Sequence, residues 1–208
     1  MNSDLLRTIT PDEVGTYHRD GVLLLSGMFD KDWIELLNKG IDTNIKTPTR
    51  GSRIWYKDTS GRSMFYDHTA WQNIDEYKKF IFNSPAAKIC GRLTGSATIN
   101  FFFDSVFVRS TGTQFETPWH QDEPYWSVEG YDACTIWMPL VPVKKKSSLS
   151  FVPGSHLWKT VFKHYNFGDL NPVGKKNVDQ VDFSDIAEQE LPDINSDPER
   201  FGVVSWNM

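Results

Sequence analysis

The sequence predicts a mainly β protein with helices (α+β), in which a helix-rich layer over about residues 1–95 precedes an antiparallel β core over about residues 96–208. Three observations predict it. Cap residues and one-sided apolar spacing, the marks of helices, concentrate before Gly95. Beyond it the chain is rich in Phe, Val, Thr, Ile and Trp and is broken by Gly, Pro and Ser clusters, the pattern of short strands in a sandwich or barrel. A length of 208 residues suits a single domain, and no internal repeat divides it.

The elements follow in order. Thr10-Pro11-Asp12-Glu13 is a capping box with proline at the first helical position, and Gly21 is a natural stop. Residues 22–25 (VLLL) read as a short buried strand. Asp30 caps a second helix, whose Trp33, Leu36, Leu37 and Ile41 share one face. Residues 53–57 and 63–66 resemble strands joined by a turn at Thr59-Ser60-Gly61. Helical pieces follow at 75–82 and 85–93, the second capped by Ser84. Strands are expected at 97–109, 117–122, 133–142, 148–153 and 201–206, with a polar loop over 164–198.

Composition narrows the function classes. Lys and Arg number 22 against 27 Asp and Glu, for a net charge of −5, and aromatics make up 14% of the chain. That argues against disorder, and an acidic pI near 5.5 without a basic stripe argues against a nucleic-acid partner. Lys144-Lys145-Lys146 reads as a solvated turn. No apolar run approaches the ~20 residues of a membrane span, and Met1-Asn2-Ser3-Asp4 opens no secretory signal. Two cysteines, Cys90 and Cys134, are too few for a disulfide framework or a zinc ribbon, which suits a soluble cytoplasmic protein. Cys134 is expected to be buried in a strand and inert.

The chemistry concentrates in residues 117–126 (TPWHQDEPYW). On a strand His120 and Asp122 project to one side, with Cα atoms roughly 6.5 Å apart, close enough for both side chains to reach one ion. A neutral imidazole with one carboxylate suits a divalent metal of intermediate hardness. With a second histidine it makes the facial triad of non-heme Fe(II) oxygenases, which leaves positions open for a chelating co-substrate and O2. Tyr125 and Trp126 flank the pair and are candidates to line a substrate pocket. Arg53, Tyr56 and Lys57 are weaker candidates for an anionic substrate group, with a solvated loop as the plainer reading. Trp33 and Trp206 read as core, Asp104 as a bend residue, and His156 as a turn histidine holding backbone carbonyls.

The order W-H-Q-D-x-P-Y-W, then W-M-P-L, then F-V-P-G-S-H resembles the phytanoyl-CoA dioxygenase family over roughly residues 10–208. The resemblance implies a double-stranded β-helix (jelly roll), an Fe(II) centre with His120 and Asp122 as its first two ligands, and 2-oxoglutarate as co-substrate. It also implies that Arg109 and Trp137 line the co-substrate pocket. The family's third ligand, a histidine, lies in a strand beyond the P-G-S-H turn, and an arginine after it pairs with the distal carboxylate of 2-oxoglutarate. Residues 201–208 resemble the strand before that histidine, and neither His156 nor His164 stands in the matching context. The expectation is therefore a C-terminally incomplete jelly roll lacking the third ligand, that arginine and the last strands. The implied function is a dioxygenase that hydroxylates a small organic substrate with O2. The alternative is a non-catalytic jelly-roll module that binds a small ligand and keeps a vestigial metal site. A metal-assisted hydrolase ranks third, because no motif places a general-base carboxylate.

Overall fold

In the computed structural model, residues 1–113, 116–126, 128, 130, 132–163 and 189–208 are described. Local capping chemistry sets the helices. Thr10 Oγ1 accepts the Glu13 N–H at 3.2 Å while the Glu13 carboxylate takes the Thr10 N–H at 2.8 Å, starting helix α1 (Pro11–Asp20) as predicted. Arg7 grips both Glu13 oxygens at 2.9 and 2.7 Å, and that guanidinium is the main reason the carboxyl falls to about 2. Gly21 closes the helix at φ 70°, and a Cβ there would strike the His156 ring, so both backbone and space require glycine. The free carbonyls of that last turn are met from far along the chain. Gly154 N–H donates to Asp20 O at 2.8 Å and His156 Nε2 to His18 O at 3.2 Å, a separation of 138 residues.

Helix α2 (Lys31–Lys46) begins where Asp30 Oδ1 accepts the Trp33 N–H at 3.2 Å, and it buries Trp33, Leu37, Gly40 and Asn44. Trp33 Nε1 donates to Asn2 O at 2.7 Å, which seats the N-terminal residues on the helix start. Strands β1 (Arg53–Lys57) and β2 (Ser63–His68) flank a turn organised by Asp58, whose Oδ1 accepts the Ser60 and Arg62 N–H groups, each at 2.9 Å. Helices α3 (Asp75–Asn83) and α4 (Ala86–Thr94) follow, and Ser84 Oγ accepts the Ala86 N–H at 3.3 Å as the predicted cap. Strand β3 (Ser105–Arg109) completes an antiparallel sheet of order β1-β2-β3, so the fold is α+β with a small antiparallel sheet. No helix among the described residues is long and apolar enough to cross a membrane.

One sheet face packs on α2 and α3. Leu37, Ala70, Ile74, Tyr77 and Val106 form its core, and a Cβ at Gly40 would meet Tyr77 Cε1 at 2.5 Å, which marks how closely α2 and α3 approach. The opposite face carries a ring stack, with Trp55 on Tyr66 at 4.2 Å and Tyr66 against Phe107 at 5.0 Å. A second core joins Ile9, Met28, Ile89 and Leu93, with Leu23 and Leu25 packed against it. Residues 22–25 therefore serve the core by their side chains, but their backbone is irregular, a correction to the expected strand.

The β reading of the second half needs larger corrections. Of the strand expected at 97–109 only Ser105–Arg109 forms; Asp104 O accepts the Thr69 N–H at 2.9 Å in the register of the β2–β3 ladder, and the pairing stops there, where Thr69 leaves extended backbone at φ 57°. Residues 117–122 and 133–142 form no ladder; Pro118, Pro139 and Pro142 remove amide donors within or beside them. In place of strands at 148–153 and 201–206 there is one bridge, Phe151↔Val204, with both N–H···O bonds at 2.9 Å. Val143 and Met208 also exchange bonds, at 2.7 and 2.9 Å, so residues 204–208 run antiparallel to 143–151. The single turn at Lys145–Ser147 interrupts that pairing and absorbs its change of register.

A buried polar cluster locks the sheet to the helices. Asp67 is 0% exposed and accepts Asn44 Nδ2 at 2.7 Å, Thr49 Oγ1 at 2.7 Å and the Thr49 N–H at 3.2 Å. Asn44, also 0% exposed, accepts the Tyr77 hydroxyl at 3.4 Å. Replacing Asp67 by Ala leaves buried donors unpaired and is expected to lower the unfolding free energy by about 3 kcal/mol in a denaturant titration. Asp104 is the opposite case. Its Oδ1 accepts the Trp71 N–H at 3.3 Å, Oδ2 is buried without a partner, and burial pushes the carboxyl up to about 6. Folding thus favours the protonated form, so stability is greatest below the unfolded-state value near 4 and is lost as pH rises to about 6. Thermal melts across that window should show this slope in the wild type, and Asp104→Asn should flatten it.

Candidate metal centre

The segment 117–126 is held from one side and open on the other. Trp119 Nε1 donates to Asn195 Oδ1 at 2.8 Å. The Gln121 side chain pairs with backbone, its Nε2 donating to Thr160 O and its Oε1 accepting the Phe162 N–H, both at 2.9 Å. Gln121 therefore makes with its amide the two bonds that a neighbouring strand would have made. Positions 119 and 121 are anchors, while 120 and 122 face elsewhere.

His120 and Asp122 meet although the strand expected under them is absent. Asp122 has helical angles (φ −78°, ψ −36°) and starts a single turn over Glu123–Tyr125. That turn swings its carboxylate until Oδ1 lies 3.3 Å from His120 Nε2. His120 Nδ1 is 2.8 Å from Pro118 O, and because a carbonyl only accepts, Nδ1 carries a hydrogen and Nε2 is the ring nitrogen that faces Asp122. Burial opposes charging of this ring, but the Asp122 carboxylate and the Pro118 carbonyl outweigh it and hold its pKa above the ordinary histidine value. The side chains are 30% and 49% exposed.

This donor set fits a metal. Two ligand atoms each roughly 2.1 Å from one ion stand roughly 3.0 Å apart at a right angle and roughly 3.4 Å apart at a tetrahedral angle. The observed 3.3 Å lies within that span. Among the described residues no group of three or more His, Cys, Asp or Glu forms, so His120 and Asp122 offer two adjacent positions. His156 is engaged with His18 O at the end of α1, and His164 lies outside the described residues.

Aromatic rings flank this segment. Tyr125 stands edge-on to His120 with centroids 6.0 Å apart, and Trp126 lies 6.5 and 6.4 Å from Phe102 and Phe103. Phe102 and Phe103 did not stand out in sequence as partners of this segment; the run of three phenylalanines was the available signal. Arg109 ends β3, and its Nη2 lies 3.4 Å from Thr117 Oγ1, which ties the sheet to the start of the segment. Trp137 was expected on a strand; it is 38% exposed on irregular chain just before Met138 and Leu140, which pack on the core. Arg53, Tyr56 and Lys57 sit on β1.

Because Gln121 orients its neighbours, Gln121→Ala is expected to destabilise the fold by about 1–3 kcal/mol through the unpaired Thr160 and Phe162 groups. Among curated proteins, none matches the chain. The sequence model of one family, phytanoyl-CoA dioxygenase (PhyH), matches residues 17–208. With that match spanning nearly the whole chain, the protein belongs to the phytanoyl-CoA dioxygenase family.

Proposed function

We propose that the protein is an Fe(II)- and 2-oxoglutarate-dependent dioxygenase that hydroxylates a small organic substrate, with His120 and Asp122 as two of its iron ligands. The observation that carries this reading is the 3.3 Å approach of His120 Nε2 to Asp122 Oδ1, with the imidazole tautomer set by Pro118 O. Family membership supports the reaction class, and the small sheet with the paired stretches 143–151 and 204–208 reads as part of a jelly roll.

When bound, ferrous ion with 2-oxoglutarate would activate O2 for attack on a C–H bond, with succinate and CO2 as co-products. The residues of this chain supply the rest. His120 gives a neutral donor whose ring cannot flip without breaking its bond to Pro118 O. Asp122 gives a negative donor that offsets part of the metal's charge. Tyr125, beside His120, and Trp126, packed with the part-exposed rings of Phe102 and Phe103, supply the aromatic surface that a small substrate would meet. Arg109 and Trp137 are proposed to line the co-substrate pocket. Free cysteines suit a cytoplasmic setting.

The test is anaerobic Fe(II) titration together with succinate release. The wild type should bind Fe(II), and His120→Ala or Asp122→Ala should weaken binding at least about tenfold and abolish 2-oxoglutarate-dependent succinate. Fe(II) binding unchanged in both variants would remove the metal centre and the reading with it.

A further inference from the structure

The anchor on Trp119 comes from a distant turn that is itself well braced. Asn195 Oδ1 accepts the Trp119 Nε1–H at 2.8 Å across 76 residues of chain. Asn195 lies in the single turn Ile194–Ser196, where Asp193 Oδ1 accepts the Ser196 N–H at 3.2 Å. Ser196 Oγ returns a bond to Asp193 O at 2.7 Å. The neighbouring Ile194 is 3% exposed, so the backbone that carries the Asn195 amide is plugged into the interior. Beyond it, the Val203 N–H donates to Pro198 O at 3.1 Å, and Val204 makes the bridge to Phe151. The Asn195 side chain is exposed, but the frame beneath it is tied at both ends.

What this bond holds follows from the place of Trp119 in the chain. Its two soft backbone torsions lie between the peptide plane that carries the Pro118 carbonyl and the plane that leads into His120. The Pro118 carbonyl is 2.8 Å from His120 Nδ1, so a turn of the Trp119 backbone moves that carbonyl against the ring it holds. The Gln121 amide acts one residue beyond His120, on the side of Asp122, through Thr160 O and the Phe162 N–H. The imidazole and the carboxylate therefore have separate anchors, one through Trp119 and one through Gln121. An indole nitrogen only donates, so position 195 must supply an acceptor.

We propose, on the metal reading given above, that Asn195 is a positioning residue for His120 and acts through the Trp119 indole. Asn195 is no ligand. By pinning the indole it keeps the imidazole in the orientation from which Nε2 meets Asp122 Oδ1 at 3.3 Å.

A double-mutant cycle on the full chain, with Mn(II) as the probe, tests this role. Asn195→Ala removes the acceptor, and Trp119→Phe keeps a ring but removes the donor. Asn195→Ala should weaken Mn(II) binding about fivefold by isothermal titration calorimetry, the factor that one net hydrogen bond is worth. The double variant should lose no more than Trp119→Phe alone, because both changes break the same bond. Asn195→Asp keeps an acceptor and should bind as the wild type does. A metal-free readout runs beside the titration. The His120 ring should give one set of NMR signals in the wild type and in Asn195→Asp, and broadened or doubled signals in Asn195→Ala. Circular dichroism checks that each variant folds. Additive losses in the cycle, or His120 signals in Asn195→Ala that match the wild type, would overturn the proposal. A wild type that takes up no Mn(II) would instead remove the metal centre, and the ring signals would still decide whether Asn195 positions His120.

Discussion

The buried carboxylate of Asp67 is the constraint from which the rest of the geometry is built. It sits on the central strand of the sheet and draws its donors from α2 and from the loop that leads into β1. A charge without solvent exposure is tolerable only when every lone pair that can be met is met. That requirement leaves little freedom in how β2 lies against α2. β2 in turn sets β3 through five paired positions, and β3 delivers Arg109 to Thr117 at the head of the segment 117–126. The placement of His120 and Asp122 therefore rests on an acid that is far from any chemistry.

Within the segment, alternation separates holding from presenting. Trp119 and Gln121 make three hydrogen bonds of 2.8–2.9 Å to the surrounding chain. Each is worth about 1 kcal/mol net. An exposed His–Asp contact contributes less than about 1 kcal/mol, so it could not position the segment by itself. The anchors therefore decide the geometry of the segment, and the contact between the imidazole and the carboxylate follows from it. The lock on His120 Nδ1 adds direction at little expense, because the Pro118 carbonyl has no strand partner to lose.

Legibility followed the range of the interactions. The capping box, the Asp30 and Ser84 caps, and the β1–β2 hairpin could be read because each is settled within a few residues. The strands expected at 117–122 and 133–142 could not. Their apolar composition suggested ladders, but prolines removed donors and the Gln121 amide took the place of a neighbouring strand. The His-x-Asp pair was readable as a pair, yet its convergence comes from the helical turn at Asp122 rather than from strand alternation. The meeting of Trp126 with Phe102 and Phe103 depends on tertiary packing, which no local pattern encodes.

The end of α1 carries a consequence for how the chain matures. Its final carbonyls are satisfied by Gly154 and His156, residues made long after the helix itself. The first turn of α1 finds its partners within a few residues, and Gly21 closes the last one on Tyr17 O, whereas the His18 and Asp20 carbonyls are met only once the 154–156 bend has docked. Closure of that distant contact makes the helix report on whether the late part of the chain has reached its native position.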